Sequence, residues 1–273
     1  MKTAILQMTA GIDPAANAAT IADAVAAARD QGAGMVFTPE MSGLIDRDRA
    51  RAAAAILGED DDRVLATVRE AAARHGLWVH LGSLAVRRAD GRFANRAYVI
   101  DDTGGIRARY DKLHLFDLDL PTGESWRESA SYAAGDHATM IDTPLGRLGL
   151  SICYDLRFPD LYRALSDAGA TMLAVPAAFT RPTGAAHWHV LLRARAIEAG
   201  AYVIAAAQTG VHQDGRATYG RSLVVDPWGE VTLDMGEAAG LAIVDIDPAR
   251  VDEVRARIPA LRHRRPIPPV SAA

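Results

Sequence analysis

The sequence predicts an α/β fold of mixed sheets covered by helices, on three observations. Apolar, strand-like runs alternate with Ala-rich helical ones along most of the 273 residues. Strand–helix–strand units of this kind lay helices over sheets. The turns Asp101-Asp102-Thr103-Gly104 and Asp226-Pro227-Trp228-Gly229 read as hairpins, which argues against a purely parallel sheet. No shift in composition, internal repeat or low-complexity block divides the chain, so one domain over residues 1–273 is expected. Its last stretch, 259–273, has four prolines and reads as an extended tail.

In chain order, Thr3–Met8 reads as a strand. Pro14–Asp30 reads as a helix with Asp13 as N-cap before a proline suited to the first turn. Met35–Thr38 is a short strand leading into Pro39-Glu40. Asp60–His75 is a second helix, with the acidic residues 59–62 compensating its positive end. Leu77–Leu84 is a strand, and Phe93–Ile100 pairs with Gly105–Tyr110. An irregular stretch from Lys112 to Asp136, holding Pro121, Gly123 and Gly135, is long enough to be functional. Ala138–Asp142 and Leu148–Ile152 are strands. Pro159–Ala168 and Ala185–Ala199 are helices, with strands Thr171–Val175 and Tyr202–Gln208 after them. Arg221–Val225 and Glu230–Asp234 form the second hairpin. Leu241–Ile246 is the last strand and Pro248–Arg257 the last helix.

Composition narrows the function. The chain is 49% apolar and 23% charged, with a formal charge of −4, which disfavours nucleic acid or an anionic membrane as partner. A single cysteine, Cys153, excludes an internal disulfide. The N-terminus is too polar for a secretory segment and no apolar run reaches spanning length. A cytoplasmic protein is expected.

Three chemically capable side chains each follow the C-terminal end of a predicted strand: Glu40, Lys112 and Cys153. Ligands gather beyond such ends in layered α/β folds. Each alone has a bland alternative: an exposed carboxylate, a solvated lysine and a buried structural cysteine. No spacing favours a histidine as base, since His187 and His189 stand two apart on a helix and share no face. H-E-x-x-H is absent, Gly104-Gly105 lacks the residues of a phosphate loop, and Asp117/Asp119 read as a solvated loop. No metal or organic cofactor is expected.

Three segments in order resemble the nitrilase superfamily, the carbon-nitrogen hydrolases: Thr38-Pro39-Glu40, the stretch from Tyr110 to Phe116, and the stretch from Gly149 to Arg163. Gly184–Trp188, Leu191–Glu198, Ala205–Gln208, Tyr219–Ser222 and Val224–Gly229 are similar to its Nit branch. Within that branch the pattern lies nearest the amidases of deaminated glutathione and next to the ω-amidases of α-ketoglutaramate and α-ketosuccinamate. His189 departs from the glutamate that animal members of the first group carry.

The resemblance implies a four-layer αββα sandwich. It implies a Glu40–Lys112–Cys153 catalytic set, with Glu128 assisting and Glu124 as the less favoured choice. It also implies a substrate carboxylate held by Arg157 and Thr183, and a homodimer or larger homo-oligomer. The alternative for Arg157 is an ion pair with Asp155 or Asp160. The expected reaction is hydrolysis of a primary amide on a small carboxylate-bearing molecule, giving acid and ammonia. Glu40 takes the thiol proton, and Lys112 with the Tyr154 N–H holds the oxyanion. Two carboxylates beside one thiol raise its pKa and Lys112 offsets this, so the resting Cys153 is expected to be a thiol. The rival readings are a different hydrolase of the superfamily, a non-catalytic binding protein on the same scaffold, and a nucleic-acid binder through Arg262-His263-Arg264-Arg265. The bland alternative for that last cluster is a tail packed on a neighbouring subunit.

Overall fold

The structure is a computed structural model that describes residues 1–119 and 125–271. It contains two six-stranded mixed sheets. The first has strands β1 (Lys2–Gln7), β2 (Met35–Phe37), β3 (Trp78–Arg87), β4 (Phe93–Ile100) and β5 (Ile106–Asp111), with the late strand Gly240–Asp245 beside β1. The second is built from Met140–Thr143, Gly146–Leu150, Met172–Ala174, Tyr202–Ala205, Leu223–Val225 and Val231–Asp234. In each sheet three central strands run parallel and the outer ones are added antiparallel. Hairpins and crossovers thus contribute to both sheets, as the sequence predicts.

The layering follows from alternation along the strands. In β1, Ala4 and Leu6 pack with Ile21, Val25, Leu65 and Val68 of helices α1 (Pro14–Asp30) and α3 (Arg63–His75; a short α2 spans Arg49–Ala55). The intervening Ile5 faces the other way, into the core that also holds Phe37, Leu148, Leu150 and Leu173. That core continues to helices α4 (Pro159–Asp167) and α5 (Arg181–Ala199), where Trp188 and Leu192 are buried. The order is helix, sheet, sheet, helix.

Differences from the predicted elements are local. Asp13 does cap α1, accepting from Ala15 N–H at 2.9 Å. Glu59–Asp61 forms a separate helical turn, and Asp62 caps α3 by accepting from Leu65 N–H. Helix α5 begins at Arg181, four residues before the predicted start, because Pro182 suits its first turn. The 112–136 stretch is not wholly irregular: Asp117–Asp119 pairs with Ser125–Arg127. Pro121, Gly123 and Glu124 lie outside the described residues. The hairpin Thr209–Val211/Ala217–Tyr219 was not predicted. The tail is not fully extended either, since Ala260–His263 makes a helical turn. Nor does its basic cluster lie free: Arg264 reaches back to Ser166, Asp167 and the Glu198 carbonyl of the same chain.

Candidate active site

Glu40, Lys112, Glu128 and Cys153 meet at one cavity of about 480 Å³, whose wall also includes Tyr154, Arg157 and Thr183. The geometric expectation drawn from strand ends therefore describes the folded chain.

Glu40 is carried by a turn after β2 that is tied to β3. Thr38 N–H donates to the His80 carbonyl, Ser83 N–H donates to the Pro39 carbonyl, and Met41 N–H donates to Ser83 Oγ at 2.9 Å. Met41 takes φ 53°, a left-handed conformation that L-residues seldom adopt. Gly82 makes this close approach feasible: a Cβ there would sit 2.0 Å from the Thr38 oxygen and 2.4 Å from that of Pro39.

The buried Glu40 carboxylate is fully engaged. Oε1 accepts from Lys112 Nζ and from Asn95 Nδ2, both at 2.9 Å, and Oε2 accepts from Ala178 N–H at 2.9 Å. Burial by itself would raise this carboxyl. Lys112 beside it, with hydrogen bonds from the Cys153 thiol, Lys112 and Asn95, brings it below its ordinary value instead.

Lys112, at the exit of β5, donates equally to Glu40 and to Glu128 Oε2 at 2.9 Å. It is only 2% exposed. Burial disfavours its charge, but Glu128 and Glu40 outweigh that and hold the ammonium well above its usual pKa. Glu128 is positioned in turn by Phe116 N–H at 2.7 Å and by Asn95 Nδ2 at 3.0 Å. Asn95 on β4 thus bridges the two carboxylates, a role the sequence reading missed. The available signal was a polar residue at a buried position of an apolar strand.

Cys153 opens a helical turn, Cys153–Arg157, with φ 50°. A non-glycine residue there costs roughly 1–3 kcal/mol and persists only where its surroundings impose the conformation. They do so here: Cys153 N–H donates to the Pro176 carbonyl at 2.9 Å, and the preceding Ile152 N–H donates to Asp155 Oδ2 at 2.8 Å. Asp155 also accepts from Tyr110 O–H at 2.7 Å and His114 N–H at 3.0 Å. It therefore pins the cysteine turn to both sides of the Lys112 segment. Burial pushes the thiol well above its usual pKa, Glu40 pushes it further and Lys112 opposes. A neutral resting thiol, as expected, agrees with that balance. Tyr154 follows in the first turn, where amide N–H groups have no partner within a helix.

Arg157 makes no ion pair with Asp155 or Asp160. Its guanidinium lies 3.3 Å from His187 Nδ1 and over the rings of Phe179 and Tyr154. Thr183 Oγ1 is 2.8 Å from Thr180 Oγ1 near the start of α5. His189 is absent from the cavity wall and contacts Asp234 at 3.1 Å. Asp117 accepts from Ser129 and Asp119 pairs with Arg127. Among the described residues no cluster of three or more His, Cys, Asp or Glu could hold a metal.

The site sits on the seam between the sheets. Glu40, Asn95 and Lys112 belong to the first sheet and its exits; Cys153 and Ala178 follow strands of the second. Gln208, past the strand Tyr202–Ala205, fastens the two by donating to the Glu40 carbonyl at 3.0 Å and accepting from Ala10 N–H at 3.0 Å.

Comparison with known proteins places this geometry. The carbon-nitrogen hydrolase family matches residues 2–256. A deaminated glutathione amidase from Yersinia enterocolitica is 38% identical over 265 residues, covering 96% of this chain and 92% of that one. The crystal structure of the Caenorhabditis elegans NitFhit protein superposes with a TM-score of 0.90 at 41% identity, over 97% of this chain and 65% of that longer one. A Glu-to-Gln mutant of the amidase from Nesterenkonia sp. AN1 has a TM-score of 0.80 at 28% identity, over 96% of this chain and 95% of that one. In it the acetamide moiety of fluoroacetamide is covalently added at the active-site cysteine. With two mixed sheets between helix layers and a family match over nearly its whole length, this chain belongs to the carbon-nitrogen hydrolases and has the nitrilase fold.

Proposed function

We propose that the chain is a cysteine amidase for small carboxylate-bearing amides, with deaminated glutathione as its favoured substrate. One observation carries the chemistry: at the wall of one cavity, a thiol stands beside a buried carboxylate that pairs with the Lys112 ammonium at 2.9 Å. The named activity of the Yersinia relative supports the substrate.

Glu40 takes the Cys153 proton as sulfur attacks the amide carbon. The oxyanion forms between Lys112 Nζ and the Tyr154 N–H; removing one such donor typically costs about 3 kcal/mol. Glu40 returns the proton to the amide nitrogen, the C–N bond breaks and a thioester remains. Water, deprotonated by Glu40, then releases the acid and restores the thiol. Glu128 keeps Lys112 oriented, while Arg157 and Thr183 hold a carboxylate of the acyl half. Arg157 suits that task because its charge has no carboxylate partner among the described residues.

The leaving group depends on the amide. A primary ω-amide releases ammonia. Glutathione has no primary amide, so its deaminated form is cleaved at the bond to cysteinylglycine. The same reading makes the enzyme a cytoplasmic homo-oligomer needing no cofactor. The test is turnover of deaminated glutathione and α-ketoglutaramate by the wild type and Cys153→Ala, with intact-mass detection of an acyl adduct. Turnover by the wild type alone, with the adduct on Cys153, is expected. Undiminished turnover by the variant would exclude the mechanism.

A further inference from the structure

A second cation in the cavity wall has no part in the reaction described above. Arg216 lies at the end of the turn between Thr209–Val211 and Ala217–Tyr219. Its side chain is 20% exposed, and its guanidinium lies over the Trp126 ring, 4.8 Å from the centroid. The Nε is buried and has no hydrogen-bond partner among the described residues; the same holds for the indole Nε1 of Trp126. Among the described residues, the carboxylate nearest to Arg216 is that of Asp214, whose Oδ2 is 3.5 Å from Nη2 and is itself unsatisfied. That is beyond the usual range for a charge-assisted hydrogen bond.

A partly buried guanidinium whose enclosed Nε–H has no partner is costly. Here the deficit is shared by two donors at one place, which points to a missing acceptor carrying negative charge. Arg47, also on the cavity wall, adds a further positive charge. Asp46 does not neutralise this end, because Arg51 binds it through Nε at 2.5 Å and Nη2 at 2.7 Å.

This end is separate from the one Arg157 serves. Arg157 contacts Tyr154, Phe179 and His187, and shares none of these neighbours with Arg216. Thr218 bridges to Thr180, beside Thr183. Arg216 stands two residues back along the chain, roughly 7 Å in extended geometry.

We propose that Arg216, stacked on Trp126, binds a second carboxylate at the leaving-group end of the substrate, so that the cavity selects elongated amides with an acid at both ends. This rests on the amidase reading above. It goes further in assigning a specificity-determining residue for the amine half, which departs with the nitrogen.

The experiment compares three substrates: deaminated glutathione, the same molecule with its glycine carboxylate capped as a methyl ester, and α-ketoglutaramate, which lacks that end. For the wild type, capping is expected to raise KM roughly 10- to 100-fold with kcat little changed, the effect of losing a hydrogen bond to a charged group. Arg216→Gln is expected to lose a similar factor on deaminated glutathione, well beyond its loss on the ester or on α-ketoglutaramate. Arg216→Lys should restore part of the difference. Wild-type enzyme that treats acid and ester alike overturns the proposal, and so does an Arg216→Gln loss equal on all three substrates. Cleavage of α-ketoglutaramate alone removes the second anchor and leaves the amidase standing. Cleavage of none removes both.

Discussion

Replacing Asn95 by leucine tests whether the two carboxylates work as a coupled pair. Its amide donates to Glu40 Oε1 at 2.9 Å and to Glu128 Oε1 at 3.0 Å. A hydrogen bond to a charged group contributes about 1.5–3 kcal/mol, so both together give roughly 3–6 kcal/mol as an upper bound. Two features reduce that figure. Glu128 is partly exposed, and Asn95 Oδ1 is buried without a partner, so leucine removes an unsatisfied acceptor as well. A loss of about 2–4 kcal/mol is expected from urea unfolding near neutral pH.

The pH dependence follows from the Glu40 carboxyl, which lies below its ordinary 4.5. A group depressed in the folded state contributes stability above its unfolded pKa, and loses it as pH falls through the folded one. With Asn95 gone the depression is smaller. The stability gap between variant and wild type should therefore narrow as pH drops below 4.5, and the acid limb of kcat/KM should move upward. An unmoved acid limb, with kcat reduced equally at every pH, would show that Asn95 only packs and would refute the coupling.

Other perturbations probe separate parts of the site. Lys112→Met should lower kcat about 100- to 1,000-fold through lost oxyanion stabilisation. It should also lower stability by about 3–5 kcal/mol, since Glu40 and Glu128 lose their counter-charge; a pure KM effect would make Lys112 a binding residue. Gly82→Ala puts a methyl 2.0 Å from the Thr38 carbonyl oxygen, so the Glu40 turn must shift. A destabilisation of about 1–3 kcal/mol with reduced kcat is expected, and wild-type Tm and rate together would contradict the packing. His80 is buried between the sheets with neither ring nitrogen partnered, and burial pushes it down to about 3. Its unfolded form binds a proton below 6.5 while the folded form resists, so stability is lost as pH falls from 6.5 towards 3. His80→Leu should flatten that slope by up to about 1.4 kcal/mol per pH unit, and parallel unfolding curves would exclude it.

The layers were legible because each depends on a short-range regularity. Alternating apolar residues, a capping aspartate before a proline and two four-residue turns mark most strands and helices. Glu40, Lys112 and Cys153 were legible as candidates because each follows a strand and stands in a segment that resembles the family's. Asn95 was not, since an amide within a strand gives no sign of what it faces until β4 is laid beside the Glu40 turn and Glu128 folds over it. Asp155 could be read as a partner for Arg157, but only the fold shows it turned inward onto Tyr110, His114 and Ile152. Arg216 escaped because its hairpin is too short for a clear alternation signal. His189 departs from the glutamate of animal members, but α5 turns it away from the cavity.

Because Cys153 and Glu40 descend from opposite halves of the sandwich, the proposed reaction needs both halves together. A chain stopped after Lys112 would carry Glu40 and the ammonium but no thiol; the remainder would carry the Cys153 thiol without Glu40. Turnover is therefore a gauge of docking. In a refolding experiment it should return with the last step that closes one half onto the other, after helical content has already recovered.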